Sequence, residues 1–398
     1  MSSNSKRLFF IDAMRAWAIL MMLQGHFIDG LLDPVFRQPN NLAYSIWLYF
    51  RGITAPVFFT VSGFIFTYLL VAAPEIGWKN PRVKKGIRRG LQLLFIGYLL
   101  RLNLFGLLKG ELYDGFFLID VLQCIGLSIL GIITTYIITA KRKAWVFPSV
   151  LISITLFLFI LEPIYKTWTF EGLPIGIANY FTKVNGSVFT IFPWFGYATV
   201  GAFLSLLFTK FKSFRNLYSI AIPVALVIGY LLLFQSSNLF EVLLAQTQWK
   251  LFELILNNNY LFIRLGDVFL VFAVFMLLRQ ALTHKTVLKI GGSTLTIYVM
   301  HFILLYGSFT GLGLYKFLHH DLTPTIAIPG ALAFMFICTY LSLVYMKHED
   351  EVKTQISYAG KQTLIHLHNG VAFAIPIVKM GISRLRLFII RLFVGVRS

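Results

Sequence analysis

The sequence predicts an all-α membrane protein, a polytopic bundle of about ten transmembrane helices with both termini on the cytoplasmic side. Three observations predict it. Apolar residues make up 58% of the 398 residues and charged residues only 13%, against the ~45–50% and ~25% usual for soluble domains. Mean hydropathy is +0.77, and a soluble chain of this length cannot hide that much apolar surface. The third is the uneven placement of Lys and Arg. Together they exclude a disordered chain, a disulfide scaffold and a nucleic-acid-binding module. The formal net charge of +19 is then read as topology rather than as a nucleic-acid footprint.

A span needs ~20 apolar residues, and only helices suit spans of that length. The first run, 9–31, follows Lys6 and Arg7 as a signal peptide would. It carries Asp12, Arg15 and His26 and no small-residue cleavage site follows, so it reads as an uncleaved span. Next come 47–72, 90–108, 117–139, 145–162 and 190–209. The last four are 217–234, 259–280, 293–314 and 325–346. No Pro/Gly/Ser linker or composition shift divides them. Residues 1–346 therefore read as one transmembrane domain and 347–398 as a basic cytoplasmic tail.

With the N-terminus inside, the cytoplasmic segments hold 25 Lys and Arg and the opposite face holds 6. Four more, Arg15, Arg51, Arg101 and Arg264, fall within or at the edge of spans. Residues 238–257 carry apolar residues at helical spacing and predict a helix lying on the outer membrane surface. The tail ends in MGISRLRLFIIRLFVGVRS, which predicts a basic amphipathic helix on an anionic inner leaflet, with an eleventh span as the alternative.

Charges inside a membrane cost at least ~2.5–3.5 kcal/mol, so they face a cavity or a partner. Arg15 and His26 are eleven residues apart, three helical turns plus ~20°, which puts both on one face of the first span. Asp12 lies within ion-pair reach of Arg15. Asp29, one turn after His26, is placed to orient a ring nitrogen. Further polar residues are Arg101, Asp120 and Gln123, Arg264 and Asp267, and His301. Arg264 and Asp267 are spaced to pair with each other. Several polar faces across one bundle predict a lined internal cavity. The run KNPRVKKGIRRG (79–90) has six basic residues in twelve. It reads as topology determination or, through Lys84, Arg88 and Arg89, as capture of phosphates on a cytoplasmic ligand. Cys124 and Cys338 lie in apolar runs, and no His/Cys/Asp cluster has metal-ligand spacing.

The Arg-x10-His pattern of Arg15 and His26 resembles the signature of the transmembrane acyltransferase superfamily. More of the chain resembles the catalytic domain of the heparan-alpha-glucosaminide N-acetyltransferase family, as a bacterial member. RLFFIDAMRAWAILMMLQGHF (7–27) is similar to its opening segment, ITAPVFFTVSGFIF (53–66) to its second span and DVLQCIGLS (120–128) to its Leu-Gln-x-x-Gly segment. FPWFGYATVGAFL (192–204) and GGSTLTIYVMHF (291–302) are similar to later spans. The resemblance implies transfer of an acetyl group from cytoplasmic acetyl-CoA to a sugar on the far side. Two departures matter. The usual Arg-Gly is Arg15-Ala16 here. In animal members the reactive histidine lies in the loop after the first span, and that loop (29–46) has no histidine here.

On this reading Arg15 anchors acetyl-CoA with help from Lys84, Arg88 and Arg89. His26 is the general base or the acetyl carrier. His301 is a second acid/base or an orienting ring, with Asp29 beside the catalytic set. Arg101, Asp120, Gln123, Arg264 and Asp267 are candidates for positioning substrate. The expected partners are a sugar or glycan acceptor and membrane lipids, with no nucleic acid, no metal and a possible homodimer. The expected location is a bacterial inner membrane. The competing class is a transporter or flippase with a charged central cavity; a non-catalytic scaffold fits less well with so many buried ionisable groups.

Overall fold

The computed structural model describes residues 8–355 together with 358 and 362. The expected amphipathic helix near the C-terminus lies outside them. The described residues are helical, without strands beyond two isolated bridges, Leu32 with Leu322 and Asn103 with Phe309. The chain divides into two compact units between Leu343 and Val344. The second begins with the last residues of the helix Pro324–Lys347 and continues as helix over 349–355.

Helix α1 (Phe9–Leu31) is the central element. One part of it buries Phe10, Ile11, Met14 and Ala18, and the rest buries Ile19, Leu23 and Phe27. Helix α2 (Leu42–Val71) is capped by the Asn41 side chain, which accepts from the Tyr44 N–H at 3.2 Å. It crosses α6 (Ile191–Phe211) backbone to backbone. A Cβ on Gly63 would stand 2.0 Å from the Ala198 carbonyl oxygen, and one on Gly201 only 1.8 Å from that of Thr60. Small residues at such crossings replace the hydrophobic driving force that lipid removes.

Helix α3 (Pro81–Leu100) corrects the expected third span, 90–108, because it begins within the basic run 79–90. Pro81 sits at the first helical position and Asn80 caps it. Val83, Gly86, Gly90, Leu93, Gly97 and Leu100 form a buried stripe at three- and four-residue spacing, so the basic residues lie on the other side. The helix ends at Leu100 and a separate short helix, Leu104–Leu108, follows. The stripe packs on α4 (Val121–Thr139), where a Cβ on Gly126 would lie 2.7 Å from the Gly90 carbonyl.

Asn80 ties this corner together. Its side chain accepts from the Arg82 N–H at 2.8 Å and donates to the Leu70 carbonyl at 2.9 Å and the Tyr136 hydroxyl at 3.1 Å. Asn80→Ala is expected to cost about 2–3 kcal/mol through a lost cap and stranded buried groups. Thermal unfolding in detergent checks it; an unchanged midpoint contradicts it.

Helix α5 (Val146–Ile160) is short for a span at 15 residues. Helix α7 corrects two expectations at once. It runs Leu217–Thr247 as one 31-residue element through a π-helical turn at Leu231–Gln235. The expected outer-surface helix at 238–257 is therefore the continuation of the seventh span, followed by the separate helix α8 (Lys250–Asn257). Sparse charge within 236–247 lets the apolar run continue. Helix α9 is Tyr260–Leu277. Helices α10 (Lys285–Gly292) and α11 (Thr294–Tyr306) meet at Ser293 with a 69° bend. The expected span 293–314 thus stops at Tyr306, where Gly307 takes a positive φ. Helix α12 is Pro324–Lys347.

Among the described residues six helices are long and apolar enough to cross a membrane, seven if the bent α10–α11 pair is one span. This makes the chain an all-α multi-pass membrane protein. Helices α1 and α3 have the length, 23 and 20 residues, but carry the charges that matter below.

Candidate active site

The bend at Ser293 lays α11 along α1. It rests on Gly291, where a Cβ would fall 2.0 Å from the Asp12 carbonyl oxygen. Arg15 Nη2 then donates to Thr294 Oγ1 at 3.1 Å, with the Asp12 carboxylate 3.6 Å from the same guanidinium. Eleven residues further along α1, His26 Nδ1 lies 2.9 Å from the Tyr306 hydroxyl, twelve residues after Thr294. Those steps rise ~16 and ~18 Å, so the two helices run side by side in the same direction and in register. His301 stands beside the second contact. Its ring centroid is 5.3 Å from that of His26 and 4.8 Å from that of Tyr298. It is fully buried, and neither ring nitrogen makes a hydrogen bond of normal geometry.

Two cavities of about 260 Å³ each open at the two ends of this pair. The one at the start of α1 is lined by Arg15, Ser62, Arg89, Thr294 and Tyr298 with apolar residues of α2, α3 and α4. The one at the end of α1 is lined by His26, Asp29, Arg51, Thr54, Lys183, Trp194 and Tyr260, among others. Phe58 lines both and stands between them. Larger grooves exist, but their walls are mostly apolar, with Ser149, Ser153 and Tyr165 as polar members of one and no titratable carboxylate, histidine or cation among the described residues lining either.

The structure separates the residues named from the sequence into two groups. Arg15, His26, Asp29 and Arg89 line the cavities, and His301 packs against His26 without lining either. Lys84, Arg88 and Arg89 are all exposed on α3, and Arg89 lines the cavity while Lys84 and Arg88 do not. Arg89, by contrast, lies on the face shared with Arg82 and Lys85 at helical spacing. Asp29 does not orient His26: it forms an ion pair with Arg51, and Tyr306 takes the ring nitrogen instead.

Arg101, Asp120, Gln123, Arg264 and Asp267 brace the walls rather than line them. Arg101 holds Asp120 Oδ2 at 2.7 Å through both Nε and Nη2, and donates to the Gly115 carbonyl at 2.7 Å. This ties the end of α3 to the start of α4. Gln123 Oε1 accepts from the Asp120 N–H at 3.2 Å, half of a capping box. Arg264 pairs with Asp267 at 2.9 Å, and Tyr49 donates to the same carboxylate at 2.6 Å. The Arg264 guanidinium also lies over the Tyr49 ring, 4.7 Å from its centroid, which locks α9 to α2.

Sequence reasoning missed Arg51, Thr294, Tyr306 and Lys183. Arg51 carried a signal, since it is a cation within the second span. Thr294 and Tyr306 carried none, because only the bend at Ser293 brings them to α1. Lys183 sits in the loop before α6, exposed at the mouth of the second cavity. Its pKa is drawn below the ordinary lysine value, chiefly by desolvation, with Glu162 pulling the other way.

The family model described as heparan-alpha-glucosaminide N-acetyltransferase, catalytic, matches residues 7–234. The chain belongs to that family. This makes it a membrane acetyltransferase. A comparison with curated proteins finds no match. The region matched to the acetyltransferase family carries α1 to α6 and the first part of α7, including Arg15, His26, Arg51 and Arg89. Thr294, His301 and Tyr306 on α11 lie beyond it, and the fold brings them to the acetyltransferase region through α1. Among the described residues no group of three or more His, Cys, Asp and Glu could hold a metal ion.

Proposed function

We propose that the protein takes an acetyl group from cytoplasmic acetyl-CoA and transfers it to a sugar or glycan on the far side of a bacterial inner membrane. The observation that carries this reading is the pair of cavities at the two ends of the α1–α11 register, one with Arg15 and Arg89, the other with His26. The excess of Lys and Arg on that side supports a cytoplasmic Arg15 end. Coenzyme A is highly charged and does not cross hydrocarbon. Arg15 and Arg89 hold its phosphates in the inner cavity. Its thiol arm spans the ~16 Å to His26, past Phe58.

Neutral His26 donates Nδ1–H to Tyr306 and keeps Nε2 free to act as a base. The acceptor hydroxyl or amine attacks the thioester carbonyl carbon and gives its proton to His26. The C–O or C–N bond forms, the C–S bond breaks, and His26 returns the proton to the thiolate, so CoA leaves as the thiol. In a two-step variant His26 Nε2 attacks the thioester carbon, the C–S bond breaks and CoA leaves as the thiol with the ring proton; the acceptor then takes the acetyl group and returns its proton to the ring. Full burial of His301 beside His26 keeps water from that side of the ring.

The test is binding and slow hydrolysis of radiolabelled acetyl-CoA by purified protein in detergent. Wild type is expected to bind it and release CoA. Arg15→Ala is expected to weaken binding about 10- to 100-fold, the size of a lost charge-assisted hydrogen bond, and Arg15→Lys to weaken it less. Label held covalently by the protein selects the two-step variant. A folded wild type that binds no acetyl-CoA contradicts the proposal and favours a transporter.

A further inference from the structure

We infer that the acceptor carries an acidic group, a carboxylate or phosphate, next to its ring hydroxyls, and that Lys183 with Arg51 selects it. This rests on the function proposed above and adds the acceptor's chemical class. The outer cavity has two cations, Arg51 and Lys183, against one carboxylate, Asp29. Arg51 and Asp29 pair with each other. Glu162, the carboxylate that acts on Lys183 from a distance, is engaged by Lys166 at 3.4 Å. Lys183 makes no ion pair among the described residues, so the mouth of the cavity keeps one uncompensated positive charge. An acidic group entering there gains a charged partner.

The wall behind it is built for a hydroxylated ring. Thr54 Oγ1 and Trp194 Nε1 belong to residues lining this cavity, are buried, and have no hydrogen-bond partner. Orphaned buried polar groups are rare and call for an occupant. At about 260 Å³ the space is below the ~300 Å³ lower end for drug-sized ligands, which suits one ring rather than several.

The experiment uses matched sugars with purified full-length protein and labelled acetyl-CoA: glucose beside glucuronate and glucose 6-phosphate, and glucosamine beside glucosamine 6-phosphate. Engagement is read as acetyl transfer or as slowing of acetyl-CoA hydrolysis. The acidic member of each pair is expected to engage about 10-fold better or more, the size of one charge-assisted hydrogen bond. The glucuronate and phosphate arms separate the two acid classes. Lys183→Ala is expected to bring the acidic-to-neutral ratio within about 2-fold of one, and Lys183→Arg to keep most of the preference. Equal engagement of acidic and neutral sugars, or a preference that survives Lys183→Ala, overturns the inference while acetyl-CoA turnover still stands. Loss of acetyl-CoA binding by wild type overturns the proposed function, and this inference with it.

Discussion

His26→Ala is expected to lower acetyl-CoA turnover by about 10²- to 10⁴-fold, the usual yield of a positioned general base, with donor affinity within about 3-fold of wild type. The ring sits at the second contact of the α1–α11 pair, where Tyr306 fixes Nδ1 at 2.9 Å and His301 packs at 5.3 Å. Arg15 and Arg89 lie at the other cavity, so the donor's charged end does not sense the change. His26→Gln keeps a polar group of similar reach without a base and is expected to fall nearly as far. The measurement pairs equilibrium binding of labelled acetyl-CoA with CoA release. Loss of binding together with turnover would make His26 a structural residue. Retained turnover would remove it from the chemistry.

The second large effect falls on the fold. Gly201→Ala is expected to abolish a folded, monodisperse protein or cost at least ~3 kcal/mol, the upper end for overpacking. The added Cβ would lie 1.8 Å from the Thr60 carbonyl oxygen. The clashing atom is backbone and cannot swing away, so α2 and α6 must part. That separation would carry Trp194 away from Arg51 and open the outer cavity. Gly292→Ala is the control, because nothing lies within 4 Å of its added Cβ. It is expected to be neutral or slightly stabilising, as Ala favours helix over Gly. Size-exclusion behaviour and thermal midpoint in detergent decide it; equal behaviour of the two variants contradicts the packing argument.

Composition and apolar runs made the membrane bundle legible, because lipid permits little besides helices in such lengths. Helix ends were harder to read. The basic run before residue 90 looks like a loop when scored by charge. It is helical because Asn80 and Pro81 start a helix whose glycines face inward. Residues 238–257 looked like a surface helix because a span of average length ends near 234. The π-turn there breaks no backbone continuity, so the helix goes on. Arg15 and His26 were legible as a pair because both lie on one helix face. Their partners were not, since Thr294 and Tyr306 meet them across about 280 residues of sequence, through a bend that no local pattern announces. Arg101, Asp120, Arg264 and Asp267 make salt bridges with one another. Arg101 and Asp120 pair across the α3–α4 junction, whereas Arg264 and Asp267 pair within α9, as their spacing suggests.

The central claim is that donor and acceptor occupy opposite halves of one bundle and meet at His26. Sidedness in proteoliposomes tests it most directly. Labelled acetyl-CoA is supplied only to the face bearing Lys84 and Arg88, and glucosamine 6-phosphate and glucosamine only to the other. Acetylated sugar is expected in the compartment that never held acetyl-CoA, with free CoA left in the donor compartment, and neither is expected with His26→Ala. Acetylated sugar formed only when donor and acceptor share a compartment would contradict it.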